Sequence, residues 1–157
     1  MKLPRTDLIM VRNVTLVTIG TVCALRVREA RELDVCDIIL DVDRGVRGFG
    51  VRIKKAKNDA KRNGLIARVA DGARRETCPR RLVMDYMDLA GLKVSERCTK
   101  PRAPTTECGP CGRLFRAINM VRGVARVRRT EQTNHGMSTH AVKKELDDCW
   151  EIGRAHV

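Results

Sequence analysis

Three cysteines in the second half of the chain have the residue type and spacing of metal ligands. Cys108 and Cys111 form the C-x-x-C pair of the stretch "CGPC", and Cys98 precedes them in the same basic loop. Two thiolates with two residues between them can bind one tetrahedral zinc ion from the two ends of a tight turn. A structural zinc knuckle with an open fourth ligand is therefore one candidate for this loop. The candidates for that ligand are Cys78, His135 and His140.

The same C-x-x-C pair has two other interpretations. As a dithiol it would be a redox motif, but it lacks a preceding tryptophan and a following long amphipathic helix, which disfavours that chemistry. A single C-x-x-C pair is weak evidence for a metal, so the sequence favours a loop of unliganded thiols over the zinc knuckle. The chain has 7 cysteines, an odd number, and no secretory signal, so reduced thiols are expected rather than disulfides. Cys23 and Cys36, which flank a predicted helix, are assigned to the core.

A second candidate for chemistry is an arginine that directly follows an almost uncharged run. The stretch "ALRVREARELDVCDI", residues 24–38, changes from apolar to highly charged at Arg26. Arg28 and Glu32 are spaced as an i,i+4 ion pair on the outside of a helix, which adds little to stability. Arg26 instead precedes that helix, where a forked guanidinium held by rigid packing could bind the oxygens of a phosphate.

The order of these parts resembles the catalytic domain of the tyrosine recombinases, the phage-integrase family. The first box of that family reads roughly Gly-Leu-Arg-x-Ser-Glu-x-x-x-Leu-x-x-x-Asp-Ile, and a lysine follows in the second hairpin of a three-stranded meander. The matching residues here are Ala24, Leu25, Arg26, Glu29, Leu33, Asp37 and Ile38, with Lys57 of "KND" as the hairpin lysine. Arg28 replaces the family's usual small residue. The resemblance covers about residues 5–90 well, and the chain looks most like eukaryotic retroelement members of the DIRS and Crypton groups.

The resemblance implies DNA strand breakage and rejoining in the full-length parent. Arg26 would bind the scissile phosphate, Glu29 would support the fold of that corner, and Lys57 would protonate the leaving 5′ oxygen. A tyrosine would form a covalent phosphotyrosyl link, so no metal or nucleotide cofactor is required. The family's later His/Lys-x-x-Arg box and nucleophilic tyrosine have no match here. Tyr86, the only tyrosine, is assigned to packing, and His140 of "HAVK" to a helix before the missing box. We therefore expect this chain to bind DNA without cleaving it.

The charge of the chain also favours a polyanionic partner. Lys and Arg number 32 against 19 acidic residues, which gives a net charge of +13. Such an excess is typical of nucleic-acid-binding proteins, and the aromatic content of 3% is too low for single-strand stacking platforms. Double-stranded DNA is therefore the expected partner. The basic residues predicted to contact its phosphates are Lys54, Lys55, Arg74 and Arg75. The alternative function is a non-catalytic, zinc-containing nucleic-acid-binding module.

Hydrophobic periodicity predicts the elements that must position these residues. Apolar positions recur at helical spacing in three segments, and alternation between them predicts a small antiparallel meander with a turn at Asn63-Gly64. The predicted segments are helices at about 6–23, 27–35 and 78–90, strands within 36–70, a short buried stretch at 112–118, and loops at 92–112 and 122–137. Ser138 or Thr139 is expected to cap a final helix. The expected fold is α+β, mostly helical with a small three-stranded antiparallel sheet, an incomplete tyrosine-recombinase catalytic fold.

The apolar segment near the N-terminus and the last seven residues lead to predictions about location and domain limits. The apolar run of residues 7–25 contains Arg12 and Asn13, so it predicts a buried helix rather than a membrane span or signal peptide. We accordingly expect a nuclear or cytoplasmic protein with no membrane partner. The last seven residues, "EIGRAHV", resemble a translated sequencing-library adapter. The domain prediction is therefore the N-terminal part of a recombinase catalytic domain at 1–150 and a non-biological tail at 151–157.

Overall fold

The computed structural model describes residues 8–40, 47–54, 64–96, 98, 108–121, 124–127, 137–138, 140–141 and 143–144. Its helices are α1 (Leu8–Val22), α2 (Val27–Glu32) and α3 (Pro79–Ala90). Its strands are β1 (Ile38–Ile39), β2 (Gly48–Ile53), β3 (Leu65–Ala70), β4 (Ile118–Val121) and β5 (Val124–Val127). Short 3₁₀ turns cover Val35–Asp37 and Arg75–Thr77. The α+β class and the small three-stranded antiparallel sheet predicted from the sequence are both confirmed.

The first helix packs one side against α3 and leaves another side in contact with solvent. Leu16 and Ile19 are fully buried, and the Thr15 hydroxyl donates a hydrogen bond to the Leu82 carbonyl oxygen at 3.1 Å. Met10 and Val14 remain exposed on the described surface, with relative accessibilities of 53% and 42%. The sequence is apolar nearly all round, so it predicted full burial. Within the described part of the chain, one side of the helix is buried and the side that carries Met10 and Val14 is not.

A left-handed turn ends α1 and orients the chain toward α2. The Leu25 amide donates to the Gly20 carbonyl at 2.8 Å, and the Ala24 amide donates to the Thr21 carbonyl at 3.2 Å. This pair of bonds is the Schellman arrangement that satisfies the last carbonyls of a helix. It requires a left-handed residue, and Ala24 takes that conformation with φ of 49°. The turn therefore fixes the direction in which Arg26 leaves the helix.

The three-stranded sheet runs in the order β1-β2-β3, and all its strand pairs are antiparallel. The central strand β2 buries Phe49 and Val51, whereas the edge strand β3 buries only Val69. Gly48 pairs with Ala70, and a Cβ at Gly48 would lie 2.3 Å from the Val69 carbonyl oxygen. A side chain at that position would push the two strands apart, so the sheet can close only around glycine.

The third helix confirms its predicted start and end. Pro79 stands in its first turn, and Gly91 ends it in a left-handed conformation with φ of 64°. Tyr86 lies on its inner face, where its ring stacks on Phe115 with centroids 5.8 Å apart. The Tyr86 hydroxyl donates to the Leu114 carbonyl oxygen at 3.0 Å. The predicted buried stretch around Leu114 and Phe115 is therefore part of the same core as α3.

A second, two-stranded sheet corrects one prediction. Residues 122–137 were expected to be loop, but β5 pairs with β4 in antiparallel register, from Ile118↔Val127 to Val121↔Val124. The stretch "VARV" contains two β-branched valines, which favour a strand, and the basic residues around it favoured a loop prediction. Strand pairing between neighbours in sequence was enough to override the polar composition.

The start of a final helix also appears where it was predicted. Residues 140–141 and 143–144 are helical, and the Ala141 amide donates to the Ser138 hydroxyl oxygen at 3.1 Å, as expected for a helix cap. The tail at 151–157 lies outside the described residues. Within the part of the chain that is described, no helix combines the length and apolar character that a membrane crossing requires.

Candidate metal centre and the arginine corner

Four cysteine sulfurs from three separate segments meet at one point. The Sγ atoms of Cys36, Cys98, Cys108 and Cys111 all lie within 4.8 Å of one another. The Sγ atoms of Cys98 and Cys108 are 3.9 Å apart. A tetrahedral zinc ion with metal–sulfur bonds of about 2.3 Å places its ligand sulfurs about 3.8 Å apart. The spacing of the four sulfurs is therefore compatible with one tetrahedral metal ion.

Two tight turns bring these sulfurs together. Cys36 lies in the 3₁₀ turn between α2 and β1, and Cys108 and Cys111 are the ends of the turn "CGPC". The Gly112 amide closes that turn on the Cys108 carbonyl oxygen at 2.6 Å, with Gly112 in the left-handed region at φ of 67°. The Val35 amide then donates to the Gly112 carbonyl oxygen at 3.1 Å. This bond docks the two turns against each other.

Backbone amides point at two of the sulfurs. The Cys111 amide lies 3.3 Å from Cys108 Sγ, and the Ser95 amide lies 3.3 Å from Cys111 Sγ. Burial raises the pKa of the Cys36 thiol, and it raises the pKa of Cys111 to about 11. Without a metal these thiols hold their protons at neutral pH, and a bound cation would displace them. The amides then stabilise the thiolates that remain.

The structure unites the three predicted ligands and supplies a fourth that was not among the candidates. Cys98, Cys108 and Cys111 come together, but Cys78 lies elsewhere, with its sulfur 3.9 Å from Asp71 Oδ1. His140 is exposed in the final helix, and His135 lies outside the described residues. The fourth sulfur belongs to Cys36, which the sequence interpretation placed in the core. It is buried as expected, but its sulfur faces the other three.

The sequence did not indicate Cys36 as a metal ligand, because no cysteine or histidine lies near it at the spacing of a ligand pair. Cys36 precedes Cys98 by 62 residues. The apolar neighbours Val35 and Ile38 made a core position the natural interpretation, so the local sequence carried no signal of a metal ligand.

A buried aspartate connects the metal centre to the sheet and to α2. Asp34 is 1% exposed, and its Oδ2 accepts a hydrogen bond from the Cys108 amide at 2.8 Å. Its Oδ1 accepts a bond from Arg113 Nη1 at 2.9 Å, and Lys54 Nζ forms an ion pair with Oδ2. Both charged oxygens of this carboxylate are therefore neutralised by basic side chains, as a buried charge requires.

Lys54 belongs to this internal network. Its side chain is 12% exposed, and its ammonium also contacts Asp37 Oδ2 at 3.1 Å and the Glu32 carbonyl oxygen at 3.3 Å. The sequence predicted that Lys54 contacts DNA phosphates. The structure places its ammonium between two buried carboxylates, which weakens its attraction for an outside anion, and the DNA contact itself stays a prediction.

Arg26 occupies a different environment, at the start of α2. Its backbone amide donates to Glu29 Oε2 at 2.7 Å, so the Glu29 carboxylate holds this corner of the chain. The Arg26 side chain is exposed, and no carboxylate of the described residues forms an ion pair with it. The predicted Arg28–Glu32 pair is present at 2.8 Å. Of the two exposed arginines at the start of α2, Arg26 is therefore the one that has no carboxylate partner among the described residues.

The remaining predicted DNA contacts lie on other segments. Arg74 and Arg75 are exposed in the connection between β3 and α3. Lys55 and Lys57 lie outside the described residues. A shallow pocket between α2 and the end of β2 contacts Glu29, Glu32 and Lys54. The strand that leads into the Lys57 hairpin therefore ends beside the helix that begins at Arg26.

Tyr86 is not placed to act as a nucleophile. It is fully buried in the core, and burial raises the pKa of its phenol to about 12 despite the nearby Arg116 and Arg12. Its assignment to packing is confirmed.

In comparison with known proteins, the chain matches no family model, and no curated protein or solved structure is similar enough to count as a match. The tyrosine-recombinase resemblance therefore stands on the residues of this chain alone.

Proposed function

We propose that this chain binds the phosphate backbone of duplex DNA as part of a tyrosine-recombinase type of catalytic domain. The observation that carries the proposal is the exposed Arg26, which lies between a core helix and a three-stranded sheet in the order that this family uses. An arginine at a rigid corner can bind two phosphate oxygens through its fork, which a flexible surface lysine does not do. The net charge of +13 supports a polyanionic partner.

Three residues would share the chemistry at this corner. Arg26 would neutralise the non-bridging oxygens of one phosphate, and Glu29 would hold the backbone that presents it. In a full-length parent that also carried the nucleophilic tyrosine, Lys57 would protonate the leaving 5′ oxygen. The only tyrosine, Tyr86, is buried. We therefore expect this chain to bind DNA without forming a phosphotyrosyl link.

Replacement of Arg26 tests the DNA-binding proposal. We expect Arg26→Ala to weaken binding of a mixed-sequence duplex about tenfold, because a charge-assisted contact to phosphate is lost. Arg26→Lys should recover only part of that loss, since it keeps the charge but not the fork. Fluorescence anisotropy over a range of salt concentrations would also show the salt dependence fall by about one counterion.

Arg28→Ala is the matched control for this measurement. It removes the same charge from the same helix, but Arg28 is already paired with Glu32. We expect it to weaken DNA binding less than about twofold. If both variants lost affinity equally, Arg26 would be one surface charge among many, and the recombinase-type site would be abandoned.

The four cysteines are proposed to hold a structural zinc ion. A site closed by four thiolates leaves no open position for a substrate, which is the arrangement of structural rather than catalytic zinc. We expect protein purified without chelator to contain about one zinc ion per chain, and Cys36→Ser to lose most of it. Metal analysis by inductively coupled plasma spectrometry measures both quantities.

Cys23→Ser is the control for the zinc measurement. Cys23 is a half-buried cysteine that ends α1 and is not among the four clustered sulfurs. Its replacement should leave the zinc content unchanged. A zinc content near zero in the unmodified chain would remove the zinc assignment, and an unchanged content in Cys36→Ser would remove Cys36 from the ligand set.

The metal centre also favours a second candidate function, a non-catalytic zinc-containing nucleic-acid-binding module. Such a module needs the metal and the basic surface but no special arginine. The two candidates differ in the Arg26 and Arg28 comparison. For a zinc-containing module, each exposed basic residue should contribute a similar small amount to DNA affinity. For a phosphate-binding corner, the loss of DNA affinity should be largest when Arg26 is replaced.

A further inference from the structure

The segment from Cys108 to Leu114 carries two of the clustered sulfurs and also contacts the C-terminal end of α2. The Leu114 amide donates to the Leu33 carbonyl oxygen at 2.8 Å, and Arg113 Nη1 donates to the Glu32 carbonyl oxygen at 2.7 Å. Arg113 also pairs with Asp34 as an isolated antiparallel bridge. The metal-binding segment therefore supports the helix that begins at Arg26.

The helix α2 depends on such external support. It is 6 residues long, and Ala30 is its only buried residue. A helix of this length does not hold its shape by its own hydrogen bonds, because nucleation costs more than one or two turns recover. Its position comes from the core packing of Ala30 and Leu33 and from polar contacts at its two ends. These contacts include Glu29 at its start and Arg113 and Lys54 at its end.

Asp34 joins these attachments to the cysteine cluster. One carboxylate oxygen accepts the Cys108 amide and contacts Lys54, and the other accepts Arg113. If loss of the metal shifted the Cys108 turn, the Asp34 carboxylate would move with it. Lys54 and Arg113 would then lose the position of their shared acceptor. Those are the two side chains that bond the last carbonyl of α2.

We propose that Asp34 couples the cysteine metal centre to the Arg26 corner, so that zinc binding and DNA binding strengthen each other. The proposal rests on the proposed function and adds a mode of regulation to it. Zinc would hold the Cys108 turn, Asp34 would hold Arg113 and Lys54, and these would keep α2 in the position from which Arg26 contacts a phosphate. Thermodynamic linkage requires the effect to be equal in both directions.

A binding cycle on the full chain tests this coupling. DNA affinity for a mixed-sequence duplex is measured in the zinc-loaded chain and after removal of zinc, and zinc affinity is measured with and without the duplex. We expect zinc to raise DNA affinity about fivefold or more, and the duplex to raise zinc affinity by the same factor. Equal DNA affinity in the two metal states would overturn the coupling.

Asp34→Asn identifies the residue that carries the coupling. The amide keeps the shape of the carboxylate but loses the charge that holds Lys54 and Arg113. We expect the variant to bind one zinc ion while the coupling factor falls to about twofold or less. Asp88→Asn, at an exposed position on α3, makes the same chemical change elsewhere and should keep the full factor. Unchanged coupling in Asp34→Asn would overturn the assignment.

Hydrogen exchange on the unmodified chain keeps the proposal testable if Asp34→Asn does not fold. We expect amides of α2 to exchange about tenfold faster without zinc, while amides of α3 keep their protection. Equal acceleration in both helices would overturn the local link, because zinc would then hold the whole fold. Loss of DNA binding in the zinc-loaded, unmodified chain is a separate outcome, and it would remove the proposed function itself.

Discussion

Lys54 and Arg26 carry the same charge, but their surroundings give them different roles. Lys54 is enclosed by Asp34 and Asp37, so its attraction for an outside anion is cancelled at short range. Arg26 is exposed and lacks such a carboxylate among the described residues. A basic residue near a predicted DNA surface is therefore not evidence of a DNA contact until its partners are known.

The two cysteines that flank α2 also differ in their surroundings rather than in residue type. Cys23 and Cys36 are both shielded from water, and burial raises the pKa of the Cys23 thiol to about 11. Only Cys36 faces three further sulfurs. The first is a small apolar side chain at a helix end, and the second is a candidate metal ligand, although the residue type is the same.

Tyr86 gives a pH-dependent prediction at the residue scale. Its pKa is raised to about 12 in the folded chain, against about 10 in the unfolded chain. The stability from the neutral buried phenol is therefore fully present below pH ~10 and is lost as pH rises through ~12. We expect this loss to reach about 2–3 kcal/mol, since each pKa unit corresponds to about 1.4 kcal/mol.

The measurement uses the fact that Tyr86 is the only tyrosine. Tyrosinate absorbance should appear near pH 12 in the folded chain and near pH 10 in urea, and the free energy of urea unfolding should fall between these values. Tyr86→Phe removes the ionisable group and should flatten that part of the pH dependence. A folded-state titration near pH ~10 would contradict the burial of this side chain.

At the scale of an element, the turn after α1 contains a strained residue. Ala24 has φ of 49°, a left-handed conformation that costs a residue with a Cβ about 1 kcal/mol. Glycine adopts this conformation without strain because it has no Cβ. We expect Ala24→Gly to stabilise the fold by about 0.5–1 kcal/mol, because relief of strain outweighs the added flexibility of the unfolded chain.

Urea denaturation of Ala24→Gly and of the unmodified chain at the same pH measures this difference in the free energy of unfolding. Ala90→Gly is a useful contrast, since Ala90 is the last residue of α3 and has ordinary helical surroundings. That change should destabilise the chain by about 1 kcal/mol, as glycine does within helices. A destabilising Ala24→Gly would show that the left-handed turn is not maintained in solution.

Elements also differ in how much of them the sequence could predict. The start and stop of α3 follow from Pro79 and Gly91, and the β2–β3 hairpin follows from alternation before Gly64. These are local signals, because they depend on bonds between residues close in sequence. The exposure of one side of α1 could not be predicted from such local signals. The side of an apolar helix that becomes buried depends on the elements that pack against it, and these are distant in sequence.

At the scale of the whole molecule, the metal centre joins segments that are distant along the chain. Its sulfurs come from the turn before β1, the segment after α3 and the turn before Leu114. A bound ion would therefore close large loops, which restricts the unfolded chain more than it adds new contacts to the folded one. Asp34 lies between this centre and the sheet, so the same residue serves the core and the metal-binding turn.

The α+β class, most helix and strand positions and the basic character could be predicted from composition or from spacing within a short window, and the same spacing made Cys98, Cys108 and Cys111 candidate ligands. The place of Cys36 in the cluster and the enclosure of Lys54 by Asp34 and Asp37 could not be predicted in this way. Those outcomes depend on which distant segments pack together, and packing partners are chosen by the shape of the whole core rather than by any local pattern.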